Sequence, residues 1–68
     1  MTKPPTPPLA DIAAWCDVEY GTVRQWSRGA RPVPGWAIVV IADHVGDSAA
    51  LAILRFWTAR RRALRAAE

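Results

Sequence analysis

Apolar positions in the first half of the chain follow the spacing of two short helices. Ile12 and Cys16 stand four residues apart, and Val23 and Trp26 stand three apart, so each pair lies on one helical face. The small Ala13 beside Ile12 allows two helix backbones to cross closely. We predict that these faces close over each other in a small core, with helices at about residues 7–16 and 19–28.

The second half of the chain predicts two further helices. An apolar run follows Pro34 and predicts a helix at about 34–45 that is apolar on two sides and therefore needs two neighbours. Gly46 is expected to end that helix, and Asp47 to cap a long one at about 48–66. The pattern as a whole predicts an all-α, compact helix-turn-helix domain of about four helices.

The last predicted helix has an apolar arc wider than one core contact requires, and we interpret it as the main dimerisation element. Arg60 falls inside that arc. We therefore expect the last two turns to run past the body of the domain, with the Arg60 head in solvent or against an acidic partner. A chain of 68 residues buries a modest core, which a second subunit would complete. The predicted dimer contacts are the apolar side chains Trp36, Val40, Ile53, Trp57 and Leu64.

Prolines mark the boundary between a tail and the domain. Four of the six prolines lie within residues 1–8. Thr6 followed by two prolines predicts a helix start with Thr6 as N-cap, because prolines are tolerated in a first helical turn. We predict a flexible Pro-rich arm at 1–6 and a single domain at 7–68.

Composition limits the classes of function. A net charge of +3 and a pI near 10.0 suit a polyanionic partner. The lone Cys16 cannot form an internal disulfide, and no signal-peptide pattern is present, which favours the cytoplasm. The most apolar run, 36–42, is shorter than the roughly 20 residues of a membrane span. Cys16 and His44 make neither a metal site nor a catalytic pair, and no paired carboxylates are evident. We expect no enzyme, cofactor, metal or small-molecule ligand.

The spacing over about residues 6–44 resembles the helix-turn-helix of the Cro and lambda-repressor superfamily, with likeness to small phage regulators and anti-CRISPR-associated repressors. The shared features are Ile12-Ala13, Cys16, Val18, Thr22-Val23-Arg24-Gln25-Trp26, Arg28-Gly29 and Arg31-Pro32-Val33-Pro34. Asp17 stands where the turn usually carries Gly, and Glu19 stands where the second helix usually starts with Ser or Thr. Asp adopts left-handed backbone more readily than most residues. The resemblance implies a DNA-binding regulator.

The second helix carries the predicted DNA-reading residues. The major groove admits one α-helix and presents a distinct pattern of donors and acceptors for each base pair. Arg24 can bond guanine and Gln25 can bond adenine, each worth about 1–3 kcal/mol of discrimination. Tyr20 and Gly21 complete the base-reading set, since a glycine lets DNA approach the backbone. The residues expected on the sugar-phosphate backbone are Thr22, Arg28 and Arg31.

These observations predict a sequence-specific transcriptional regulator that binds double-stranded DNA. The simplest form is a homodimeric repressor that occludes an inverted-repeat operator, with recognition helices about 34 Å apart. We expect it in the cytoplasm, associated with the nucleoid. Two alternatives stay open. One is a protein–protein adaptor or inhibitor that uses the long apolar helix, and the other is an excisionase-like architectural protein that bends DNA.

Overall fold

Four helices make up the part of the chain that the structure describes. The computed structural model describes residues 6–67, and its helices are α1 (Leu9–Cys16), α2 (Tyr20–Ser27), α3 (Gly35–Val45) and α4 (Asp47–Ala67). α1 contacts both α2 and α3, while α4 contacts α3 and α2. The predicted all-α class is confirmed. Apart from Thr6, the predicted Pro-rich arm lies outside the described residues.

Two helix starts differ from the prediction. Pro8, and not Thr6, occupies the N-cap position of α1, and its carbonyl accepts the N–H groups of Asp11 and Ile12 at 2.9 and 3.3 Å. At α4 the carbonyl of Gly46 accepts the Ala50 N–H at 3.0 Å. Gly46 is therefore the residue before α4, and Asp47 is its first helical residue. The negative Asp47 remains favourable there because it lies at the positive end of the helix dipole.

One apolar core joins all four helices. Ile12, Val23, Ile41 and Ile53 are its largest fully buried side chains, and each comes from a different helix. The remaining members are Ala13, Cys16, Trp26, Ala37, Ala50 and Trp57. Burial in this core raises the pKa of the Cys16 thiol, because the thiolate would lose its hydration.

The core corrects the predicted dimer interface. Ile53 and Trp57 are only 1% and 4% exposed within a single chain. Neither side chain has surface left for a second subunit, so their assignment to a dimer contact is wrong. The wide apolar arc of α4 is needed because α4 packs against both α3 and α2.

The other tryptophans tie α1 and α2 to α3. Trp15 stacks on His44, with ring centroids 4.4 Å apart and planes 12° from parallel. This contact joins α1 to the C-terminal end of α3. Trp26 is a core residue, as predicted, and makes a T-shaped contact with Trp36 at 6.4 Å between ring centroids. α1, α2 and α3 are thus held together by aromatic contacts as well as by aliphatic packing.

Candidate nucleic-acid interface

The turn between α1 and α2 is built around a left-handed aspartate. Asp17 has φ 54° and ψ 47°. Its N–H donates to the Ala14 carbonyl at 3.3 Å, and the Val18 N–H donates to the Ala13 carbonyl at 3.1 Å. This is the Schellman arrangement of a helix end, which usually carries glycine at the left-handed position. Asp17 therefore serves in place of the glycine that the resemblance leads one to expect.

α2 is buried on one side and open on the other. Val23, Trp26 and Ser27 face the core and are 0%, 3% and 8% exposed. The predicted base-reading residues share the open side of this helix: Tyr20, Gly21, Arg24 and Gln25 are all exposed. Of the predicted backbone-binding residues, Thr22 is half-buried at the flank of the helix, whereas Arg28 and Arg31 are exposed at its C-terminal end. We name Gly21, Arg24, Gln25 and Arg28 the open face of α2.

The polar groups of this open face are available to a ligand. Among residues 6–67, the side chains of Arg24, Gln25 and Arg28 make no hydrogen bond or ion pair with the rest of the chain. The same holds for Arg31. A Cβ added at Gly21 would meet no atom within 4 Å, so the helix backbone is open at that point. A partner could therefore approach α2 closely without first displacing a side chain.

The C-terminal end of α2 is a second Schellman arrangement, and it is packed much more tightly than the first. Gly29 has φ 81°. Its N–H donates to the Trp26 carbonyl at 3.1 Å, and the Ala30 N–H donates to the Gln25 carbonyl at 2.9 Å. A Cβ at Gly29 would lie 2.6 Å from the N atom and 2.7 Å from the Cα atom of Arg61 in α4. Only glycine fits between the two helices.

Two arginines of α4 complete the end of α2. Nη1 of Arg60 donates to the Ser27 carbonyl at 3.2 Å, and Nη1 of Arg61 donates to the Gly29 carbonyl at 3.3 Å. The Arg60 guanidinium also lies 4.6 Å above the centroid of the Phe56 ring. The sequence predicted that the Arg60 head would lie in solvent or against an acidic partner. Neither prediction included its contact with the end of α2. Its position inside the apolar arc of α4 was the signal that could have indicated it.

Comparison with protein-family models, with curated proteins and with solved structures finds no match. The resemblance to the Cro and lambda-repressor superfamily thus rests on the residues quoted for it. None of the helices within residues 6–67 is long and apolar enough to cross a membrane. In the same part of the chain, no three His, Cys, Asp or Glu residues gather as a metal site would require.

Charge is separated along the described chain. Every arginine lies within 24–31 or 55–65, and neither segment contains an acidic residue. The acidic residues of the described part lie within 11–19 and 43–47. The two arginine-bearing segments meet where Arg60 and Arg61 contact the end of α2. The open face of α2 therefore borders a basic surface.

The remaining predicted dimer residues differ in exposure. Trp36 and Leu64 are 52% and 49% exposed, while Val40 is half-buried. Val39 is not among the predicted dimer residues, and it is 60% exposed one helical turn from Trp36. Trp36 and Val39 form what we name the apolar stripe of α3. An apolar surface of this kind is typical of a protein contact.

Proposed function

We propose that the protein is a sequence-specific regulator that binds double-stranded DNA through α2. The observation that carries this proposal is the two-sided character of that helix. Val23 and Trp26 hold it from behind in the core, while Arg24 and Gln25 project from the other side without partners among residues 6–67. A reading helix needs both properties, since its side chains must be presented rigidly and must be free to bond.

The dimensions and chemistry of α2 suit the major groove. An α-helix with its side chains is about 10–12 Å across, which matches the major-groove width of about 12 Å, and the eight residues of α2 make about two turns. Arg24 can donate two hydrogen bonds to the edge of guanine, and Gln25 can bond adenine. Gly21 offers open backbone against which the DNA can lie. Arg28 and Arg31, beyond these readers, are placed to bind phosphates and so fix the register.

The proposed regulator acts as a homodimer. Two copies of α2 related by a two-fold axis would read the two halves of an inverted repeat about 34 Å apart. The apolar stripe of α3 supports self-association, because it exposes Trp36 and Val39 to solvent in the single chain. Occlusion of a promoter requires DNA binding and no additional sensor or polymerase-binding surface. We therefore propose that the protein is a repressor.

Selection of bound sequences from a random duplex pool tests this function. The double variant Arg24→Ala, Gln25→Ala removes two base contacts, each worth about 1–3 kcal/mol of discrimination. We expect the preferred sequence to lose at least about tenfold of its advantage over random duplex. The melting temperature should stay unchanged, since both side chains are exposed.

Arg55→Ala is the matched control, because it removes the same charge from an exposed position on α4. It should keep the wild-type sequence preference. A double variant that selects the wild-type sequence, or a wild-type protein that ignores DNA at low ionic strength, would contradict the proposal.

The apolar stripe of α3 also supports a second candidate, a protein–protein adaptor. A chain that stays monomeric by light scattering and binds no duplex would favour the adaptor. DNA bending with weak sequence preference would instead favour an excisionase-like architectural role.

A further inference from the structure

We propose that Arg28, Arg31, Arg60 and Arg61 form a phosphate-binding surface at the C-terminal end of α2. We name these four residues the arginine cluster. The ligand is the phosphodiester backbone of duplex DNA, so the inference rests on the proposed function. It adds α4 to the DNA-binding surface, a role that the resemblance to helix-turn-helix regulators does not imply.

The structure pairs the four arginines across two open grooves. Arg28 and Arg60 line one groove together with Ala63 and Leu64. Arg31 and Arg61 line a second groove, whose remaining lining residues are Trp26, Pro32, Val33, Ile38, Leu54, Trp57 and Thr58. In each groove one arginine comes from the end of α2 or the segment after it, and the other comes from α4.

No carboxylate lines either groove among residues 6–67. Paired cations without a counter-charge repel each other, and an anion bound between them reverses that repulsion. An arginine pair also matches the geometry of phosphate, because the planar guanidinium presents parallel N–H donors. Each groove is therefore suited to a phosphate.

The end of α2 would repel phosphate if α4 did not cover it. The last carbonyls of a helix carry a partial negative charge. Arg60 and Arg61 each donate an N–H to one of the carbonyls at this end, those of Ser27 and Gly29. Each guanidinium has further N–H donors that no hydrogen bond within residues 6–67 uses. The contacts thus hold two cations where the dipole would otherwise present negative charge, and they leave donors for a ligand.

The position of the cluster agrees with a helix lying in the major groove. The phosphates of both strands border that groove, so the ends of an inserted helix come closest to them. Arg28 belongs both to the cluster and to the open face of α2. The phosphates that the arginine cluster contacts would therefore lie next to the bases that Arg24 and Gln25 contact.

The salt dependence of binding to a duplex carrying the selected sequence tests this inference. Each phosphate contact contributes about 0.9 to the slope of log affinity against log salt concentration. We expect Arg60→Gln, Arg61→Gln to lower the magnitude of this slope by about 1.8. The variant Arg60→Lys, Arg61→Lys keeps both charges and should keep the slope. Arg55→Gln, which removes an exposed arginine earlier in α4, should also keep it.

A second measurement uses the wild-type protein and covers the case in which the glutamine variant does not fold. Phenylglyoxal modifies arginine side chains, and mass spectrometry reports each site. Binding of the duplex should slow modification of Arg60 and Arg61 at least about threefold and leave Arg55 unchanged. Equal changes at all three arginines would overturn the inference.

Failure of the inference can be told apart from failure of the proposed function. If the folded glutamine variant keeps both the slope and the selected sequence, the arginine cluster does not bind phosphate, and α2 remains the reading helix. A slope that falls equally in Arg55→Gln would also overturn the cluster, because the effect would then be one of net charge. A wild-type protein without affinity for any duplex would remove both proposals.

Discussion

Two residues with left-handed backbone end the first two helices, and they differ in what they require. Asp17 is exposed and needs only a tolerance of positive φ, which aspartate has. Gly29 is buried against the backbone of Arg61 and needs both the positive φ and the absence of a Cβ. The first position can accept several residues, whereas the second accepts one.

Gly29→Ala should be severely destabilising. Left-handed backbone costs a residue with a Cβ about 1–2 kcal/mol, and forcing an extra methyl against packed backbone costs about 1–3 kcal/mol more. That total is comparable with the roughly 3–10 kcal/mol expected for the free energy of unfolding of a domain this size. We expect the free energy of unfolding measured by urea titration at 25 °C to fall by about 2–5 kcal/mol.

Gly21→Ala is the control for that variant. Its Cβ would enter open space within a helix, so the free energy of unfolding should rise by about 0.5–1 kcal/mol. A Gly29→Ala variant as stable as the wild type would show that α2 and α4 do not approach as closely as described.

At the scale of elements, α4 combines two tasks along its 21 residues. Its first half supplies Ala50, Ile53 and Trp57 to the core. Its second half brings Arg60 and Arg61 to the end of α2. The helix therefore supports α2 from behind. Its apolar side chains Ala50, Ile53 and Trp57 are buried within one chain and need no second subunit.

Ile53→Val separates folding from self-association. Removing one buried methylene should lower the free energy of unfolding by about 0.5–1.5 kcal/mol and the melting temperature by roughly 2–12 °C. The dissociation constant of the proposed dimer should not change, because Ile53 is 1% exposed in the single chain. If Ile53 lay in a symmetric interface, the same change would act on both subunits and weaken the dimer measurably.

At the scale of the whole molecule, the apolar stripe of α3 is the surface through which the proposed dimer would form. Trp36 makes a T-shaped contact with the buried Trp26, which supports its ring on one side. Val39 makes no comparable contact and is the more exposed of the two. Exposed aromatic residues such as Trp36 are enriched in protein interfaces.

If the protein forms the proposed dimer, Val39→Glu should convert it to monomer. A carboxylate buried at the interface without a partner would raise the dissociation constant at least about tenfold, equivalent to about 1.4 kcal/mol. Light scattering over a concentration series measures this shift, and the melting temperature of the monomer should stay the same. Ala14→Glu adds the same charge at an exposed position of α1 and should leave the dimer intact. Equal association of the two variants would place the interface elsewhere.

The sequence predicted what depends on local spacing. The faces of α1 and α2, the core position of Trp26 and the end of α2 near Gly29 follow from periodicity and helix-end chemistry, which act over a few residues. The dimer assignment of Ile53 and Trp57 failed because a helical wheel shows which side of α4 is apolar and not which body that side meets. The contact between Arg60 and Ser27 joins residues 33 positions apart, so only the packing of α2 on α4 reveals it.

The backbone contact at Gly29 has a consequence for changes in chain length. A residue inserted between Trp57 and Arg60 would turn the following part of α4 by about 100° and shift it by about 1.5 Å. Both guanidinium groups would then point away from the carbonyls they cover, and a different backbone segment would face Gly29. Added residues after Arg65 would disturb none of this. Insertions and deletions in α4 should therefore be harmless after Arg65 and damaging between Trp57 and Arg60.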